Sequence, residues 1–202
     1  MLFANILAFA TAVTAAAVSK TATSPDGYVY DVVDESLYVA DTITLPDGNT
    51  TTVLIHPSLK FKRGVDTSDK LDKRLGWSSG SPDRCGASSF INKSSGGSPV
   101  TGDCEAIRNH YQHANGYFTA ASWDLGSHWT RLVITGSCVF GIKSGNQGGI
   151  HVGSTDIYDL TRDAINMYRT NWNPSRIGAE GHMGCNVMIG GTAAVDWAIF
   201  HN

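Results

Sequence analysis

The distribution of cysteine constrains the fold of these 202 residues more than any other feature. All four cysteines follow the dibasic pair Lys73-Arg74: Cys85, Cys104, Cys138 and Cys185. Four cysteines can form two disulfides in three different pairings, as they commonly do in small extracellular domains. Because the sequence has no Cys-x-x-Cys pair, we expect disulfides and not a zinc site, with no metal and no other cofactor.

The N-terminal third has the composition of a precursor. Leu2 to Val18 is an uncharged, alanine-rich run that is rather short for a membrane span and is followed by small residues, as in a secretory signal. Exposed Lys-Arg pairs are cleaved by kexin-type proteases, and Lys73-Arg74 directly precedes the part that contains the cysteines. We therefore predict a signal peptide at 1–19, a pro-segment at 20–74, a mature cysteine-containing domain at 75–202, and a secreted product. Removal of the pro-segment is expected to leave the fold intact.

Two further features bear on the environment of the chain. The triplets that begin at Asn49 and Asn92 are glycosylation sequons, which agree with secretion. The part after Arg74 carries eight basic and nine acidic residues, and the whole chain has a net charge of −3. A protein that binds nucleic acid through bulk electrostatics would have a basic excess, so no nucleic acid is expected as a partner.

The pro-segment contains short β-like stretches. Tyr28–Val33, Thr42–Leu45 and Thr51–Ile55 have strand composition, and the turn residues Pro46–Asn49 separate the last two. This pattern predicts a small hairpin. The polar, basic residues from Ser58 to Arg74 are expected to be unstructured.

The part after Arg74 predicts two helices. Ser98 and Pro99 form a start signal for a first helix, whose buried face would carry Val100, Cys104, Ile107 and Tyr111. Ser154 can cap a second helix with this apolar face: Ile157, Leu160, Ala164, Met167 and Tyr168.

Strands are predicted between and around these helices. The predicted strands are Ser88–Ile91, Tyr117–Ser122, Arg131–Ile142, Ile177–Val187 and Val195–Phe200, and Gly145–Gly153 is expected to be a glycine-rich loop. The economical arrangement is an α+β fold with two helices packed on one face of an antiparallel sheet.

The predicted faces favour one disulfide pairing among the three. Cys104 points from the first helix toward the sheet, and Cys138 points from a strand toward the helices. We therefore pair Cys104 with Cys138, which leaves Cys85 for Cys185.

Several short motifs resemble one known family. The motifs are Arg84-Cys85-Gly86, Ser98-Pro99-Val100, Asp103-Cys104, Gly136-Ser137-Cys138-Val139-Phe140-Gly141, Val152-Gly153, Asp156-Ile157, Gly178-Ala179 and Gly181-His182-Met183-Gly184-Cys185. Together they resemble the fungal secreted effector domain described as a putative necrosis-inducing factor, a homologue of an extracellular protein of a leaf-mould pathogen. The resemblance covers Arg84 to Val187, about half of the chain, and implies a small secreted protein that provokes cell death or defence in a plant host. The domain is also similar in outline to killer-toxin-like α/β sandwiches.

The sequence does not assemble a catalytic group. His110 and His113 could share a helix face and a metal, but helix ends favour histidine electrostatically. Asp124 and His128 could meet across a loop without a visible nucleophile, and no serine lies on a recognisable strand-to-helix elbow. The acids Asp103, Glu105 and Glu180 are expected to be cap or surface charges. We therefore expect no enzymatic activity.

The five tryptophans are the remaining candidates for function. Trp197 is expected in the core, whereas an exposed subset of Trp123, Trp129 and Trp172 could form a carbohydrate or partner surface. Our interpretation is a monomeric, non-enzymatic effector that acts through a recognition surface on an unknown host or microbial target. The alternatives are a toxin that acts on competing microbes or their membranes, and then a cell-wall hydrolase.

Overall fold

The computed structural model describes residues 20–33, 35–45, 47–56, 75–78, 81–120, 127–145 and 149–202, and for 75–78 only the backbone. The helices are α1 (Thr101–Tyr111) and α2 (Ser154–Tyr168), with a short 3-10 turn at Glu35–Leu37. The strands are β1 (Thr21–Thr23), β2 (Val29–Asp31), β3 (Val39–Thr44), β4 (Thr50–Ile55), β5 (Leu75–Ser78), β6 (Cys85–Ser88), β7 (Ile91–Asn92), β8 (Tyr117–Ala120), β9 (Thr130–Thr135), β10 (Cys138–Lys143), β11 (Ile150–Gly153), β12 (Ala179–Asn186) and β13 (Thr192–His201).

An antiparallel sheet of eight strands organises the molecule. Its order is β3-β4-β9-β10-β13-β12-β6, with β7 also paired to β12. Separate small sheets are formed by β11-β8-β5 and by β1-β2. The predicted α+β class, with two helices, a mostly antiparallel sheet and two disulfides, is confirmed.

Both helices lie over the main core. On α1, Cys104, Ile107 and Tyr111 are buried as predicted, but the helix begins at Thr101 and its N-cap is Val100. Ser98 was predicted to be the cap; its hydroxyl instead accepts the Ser95 N–H at 2.9 Å and donates to the Lys93 carbonyl at 3.2 Å.

On α2 the predicted start is one residue too late. The N-cap is Gly153, and Asp156 in the first turn accepts its N–H at 2.7 Å. Met167 is exposed, and Ile165 is buried in the core with Ile157, Leu160 and Ala164.

The predicted strand Arg131–Ile142 is two strands. β9 and β10 form a hairpin whose turn contains Gly136 and Ser137. Gly136 has a φ of +53°, and a Cβ there would lie 2.6 Å from Asp103 Oδ2, so the position favours glycine twice over. Asp103 accepts the Ser137 N–H at 2.7 Å and thereby joins the hairpin to α1.

Two other strand predictions need correction. The loop predicted at Gly145–Gly153 ends in strand β11, which pairs with β8. The strand predicted at Ser88–Ile91 is replaced by the two shorter strands β6 and β7. The closing hairpin is confirmed as β12 and β13, with Gly190 and Gly191 at positive φ between them.

Both disulfides connect separate elements of the domain. Cys104 on α1 is bonded to Cys138 on β10, and Cys85 on β6 to Cys185 on β12. This is the pairing predicted from the two apolar faces. All four sulfurs are used, so no cysteine is left to bond residues 20–74.

Residues 20–56 are part of the same fold. The predicted hairpin is present as β3 and β4, and β4 pairs with β9, so the hairpin extends the main sheet. Val53 and Ile55 are fully buried in the main core. This packing argues against the expectation that the fold is independent of residues 20–74. The cleavage sites and the signal peptide lie outside the described residues, and the predicted boundaries stay predictions.

The Cys104–Cys138 bond should contribute strongly to stability. It closes a loop of 34 residues between two fully buried positions. Replacing both cysteines by alanine should lower the free energy of unfolding by about 3–4 kcal/mol in the chain-entropy model. Denaturant unfolding of the variant and the parent protein measures this difference, and a loss below about 1 kcal/mol would contradict it.

Acid should weaken the packing around His56. Burial, reinforced by the positive charge of Arg131, lowers the pKa of His56 from 6.5 to about 4. The folded state therefore needs the neutral imidazole, so this contribution is complete above pH 6.5 and is lost as the pH falls from 6.5 toward 4. Its size is about 2–3 kcal/mol over that window. Comparing the unfolding free energies of the parent protein and His56→Gln at pH 7 and pH 4.5 checks it; a parallel pH dependence would contradict it.

Candidate functional site

An open cleft of about 490 Å³ lies where residues 26–29 meet the domain. It has the size of a small-molecule or peptide-anchor site. We call it the junction cleft, and it is lined by Asp26, Gly27, Tyr28, Val29, Lys93, Ser95, Ser127, Trp129, Lys143 and Glu180. One wall comes from residues 26–29, which lead into β2. The other walls come from the residues just before β9, the end of β10, the start of β12 and the segment after β7.

Glu180 connects the two sides of the junction cleft. The Tyr28 hydroxyl donates to Glu180 Oε2 at 3.1 Å, and the Lys93 ammonium lies 2.9 Å from Glu180 Oε1. Burial, with the nearby carboxylate of Glu180, raises the pKa of Tyr28, so the phenol stays protonated and keeps its role as donor. Glu180 was predicted to be a surface charge; it is a polar contact between the N-terminal segment and the domain.

Lys143 and Trp129 form the second polar and aromatic part of the cleft. The Lys143 ammonium lies 4.8 Å from the Trp129 ring centroid and 3.5 Å from Asp196 Oδ2. Trp129 also makes an edge contact with Tyr28, with ring centroids 5.6 Å apart. Both ammonium groups thus lie beside a carboxylate, and that of Lys143 also faces an aromatic ring. This arrangement suits a partner that presents hydroxyl, carboxylate or amide groups.

A smaller groove of about 230 Å³ lies beside the Cys85 disulfide and carries four carboxylates, of Asp83, Asp156, Asp159 and Asp163. Three of these acids have structural partners. Asp156 accepts backbone N–H groups of Gly153, Arg84 and Cys85, although burial raises its pKa to about 6. Asp159 and Asp163 both pair with Arg162. The groove is therefore smaller than the junction cleft, and most of its acids already hold structural partners.

Two of the three histidines singled out in the sequence are placed near acids. His110 Nδ1 lies 3.9 Å from Asp41 Oδ2, and burial lowers the pKa of His110. His128 Nδ1 lies 3.4 Å from Asp31 Oδ1, while its predicted partner Asp124 is outside the described residues. His113 is exposed near the end of α1. Within the described ranges, no three His, Cys, Asp or Glu side chains are grouped as metal ligands.

Two contacts of catalytic type were not predicted. His182 Nδ1 lies 2.5 Å from Asp196 Oδ1 on the exposed surface of β12 and β13, and His151 Nδ1 lies 2.9 Å from the Thr119 hydroxyl. The His182–Asp196 contact arises because the two residues lie directly opposite each other on neighbouring antiparallel strands. Only the register of β12 against β13 could have predicted this contact, and the sequence does not define that register uniquely.

One serine has the sequence context, but not the structural context, of a nucleophile elbow. The Gly-x-Ser-x-Gly spacing of nucleophile elbows does occur, at Gly76-Trp77-Ser78-Ser79-Gly80. Ser78 is the last residue of β5, which pairs antiparallel with β8, and the next described element is strand β6. An elbow requires a strand that turns directly into a helix, so this context does not match the motif.

The remaining predicted residues are placed as follows. Trp197 is buried in the core, Trp129 lines the junction cleft, and Trp172 is half exposed outside it. Trp123, Lys73 and Arg74 lie outside the described residues. Both sequon residues, Asn49 and Asn92, are exposed, and their glycosylation stays a prediction.

Comparison with known families gives a direct result. The Hce2 family model (pathogen effector; putative necrosis-inducing factor) matches residues 84–185. The match covers half of the chain and contains all four cysteines, so the chain belongs to this pathogen-effector family. No curated protein matches the sequence significantly. In the part of the chain that the structure describes, every helix is too short or too polar to cross a membrane.

Proposed function

We propose that this protein is a secreted effector that induces necrosis or defence responses in a plant host through a non-catalytic recognition surface. The observation that carries the proposal is the family match over 84–185, which contains both disulfides. Disulfides persist in oxidising, extracellular environments, which supports secretion.

The junction cleft is the recognition surface in this proposal. It is the larger of the two grooves, and its walls combine aromatic rings with ammonium and carboxylate groups. Such mixed walls select a partner by complementary hydrogen bonds and charge, without a reacting group. The partner contributes acceptor groups toward Lys93 and Lys143.

Removing the two ammonium groups tests this surface. Lys93→Ala with Lys143→Ala should raise the protein dose for half-maximal leaf necrosis about tenfold or more, since a charged hydrogen bond contributes about 1.5–3 kcal/mol. Leaf infiltration with a dilution series of purified protein gives the dose.

Arg162→Ala is the matched control. Arg162 is 39% exposed, between the 33% of Lys143 and the 44% of Lys93, and it lies on α2 outside the cleft lining. Arg162→Ala should leave the dose for half-maximal necrosis unchanged. All variants should have an unfolding temperature near that of the parent protein. An unchanged dose for the double variant would refute the cleft as the recognition surface.

The non-catalytic part of the proposal has its own test. His182 is an exposed side chain that pairs with Asp196 in the manner of an acid–base dyad, so it is the best-placed histidine for catalysis. Because a recognition surface needs no general base, His182→Gln should change the necrotic dose by less than twofold. Loss of activity with normal secretion and thermal unfolding would favour an enzyme. Growth inhibition of microbes without plant necrosis would instead favour the toxin.

A further inference from the structure

The N-terminal segment 20–56 occupies both an edge and a face of the domain that follows it. At the edge, Leu54 and Ile55 of β4 pair with Ile134 and Val133 of β9, and the His56 N–H donates to the Leu132 carbonyl at 3.1 Å. Val53 and Ile55 have 0% exposed surface. The segment therefore supplies core residues to the domain.

The same segment covers the sheet face that is opposite the helices. A second apolar cluster lies there, and its buried members are Tyr38, Trp129, Ile134, Val139, Ala198 and Phe200. Tyr28 stacks on Phe200 with ring centroids 4.9 Å apart, and Tyr30 and Val33 pack on the same cluster. Without residues 20–38, this aromatic face of the domain would be open to water.

Polar contacts fix the position of the segment over that face. Trp129 exchanges backbone hydrogen bonds with the segment, donating to the Val29 carbonyl and accepting from the Asp31 N–H. Arg131 of β9 has only 3% exposed surface, and its guanidinium lies 2.9 Å from Glu35 Oε1 and 4.5 Å from the centre of the Tyr30 ring. Asp26 accepts the His201 N–H at 3.1 Å. These contacts are specific to one docked position.

Both dibasic pairs lie between this segment and the domain in the sequence. Lys62-Arg63 and Lys73-Arg74 follow His56 and precede β5, so cleavage at either pair would leave residues 20–56 whole. No disulfide reaches the segment, because the four cysteines bond to one another. After cleavage, only the non-covalent contacts described above would hold the segment.

We propose that residues 20–56 stay bound after cleavage at Lys73-Arg74, so that the mature protein consists of two non-covalently associated chains. The partner of the apolar sheet face and of the β9 edge is thus this chain's own N-terminal segment. Because residues 26–29 form a wall of the junction cleft, the retained segment also completes that cleft. This last consequence rests on the proposed function, whereas the association itself does not.

The test uses the full chain with a site-specific protease sequence in place of residues 65–72. After complete cleavage, the protein is run through gel filtration at about 1 µM and the fractions are analysed by mass spectrometry. We expect both fragments in one peak and an unfolding temperature that rises with protein concentration, as for any heterodimer. Separate elution of the two fragments, or a folded 75–202 fragment alone, would overturn the proposal.

A matched pair of variants locates the contact. Val53 is buried and Thr52 is exposed on the same strand, so Val53→Asp should release the segment on cleavage and Thr52→Asp should not. If uncleaved Val53→Asp fails to fold, Tyr28→Ala is used in its place. The two fragments of cleaved Tyr28→Ala should dissociate at a protein concentration at least tenfold higher than those of the cleaved parent protein. The described contact would be refuted if cleaved Tyr28→Ala retains the segment as well as the parent does and Val53→Asp either retains it too or does not fold.

Leaf infiltration separates this proposal from the proposed function. A complex that is retained but causes no necrosis refutes the function and leaves the association standing. Fragments that separate while 75–202 stays active refute the association and show that recognition does not need the segment.

Discussion

The central hairpin of the main sheet has no face exposed to water, and the rest of the structure depends on this constraint. Every residue of β9 is buried, and so are five of the six residues of β10. Strands that are buried on both sides need a covering layer on each side of the sheet. The helices cover one side, and residues 20–38 cover the other. The N-terminal segment is therefore a layer of the fold, although the dibasic pairs that follow it predict proteolytic cleavage between this segment and the domain.

The elements with one clear period were predictable. The buried faces of α1, the hairpin β3–β4 and the hairpin β12–β13 follow from helical or alternating patterns with turn residues between them. The run Arg131–Ile142 was read as one strand because its apolar character continues through the turn. Gly136, with its positive φ and its carboxylate neighbour Asp103, was the local signal for a reversal.

The junction cleft could not be predicted, since it depends on tertiary contacts between distant residues. Tyr28 and Glu180 are 152 positions apart, and neither stands out in the sequence. What the sequence offered was Trp129 as a candidate for a partner surface, and Trp129 does line the cleft. Two of the histidines that the sequence offered as candidates have acid partners in residues 20–56. His110 and His128 lie beside Asp41 and Asp31, so both face the N-terminal segment.

The two layers around the sheet differ in how they are attached. Cys104–Cys138 fixes α1 to β10, and Cys85–Cys185 fixes β6 to β12, so the covalent bonds belong to the part that matches the effector family. The opposite layer is held by buried apolar side chains, backbone pairing and the Arg131–Glu35 ion pair. A disulfide keeps its two ends together at any dilution, whereas a non-covalent layer on a cut chain depends on concentration and pH. Processing would therefore change the second layer alone, and that layer carries one wall of the cleft.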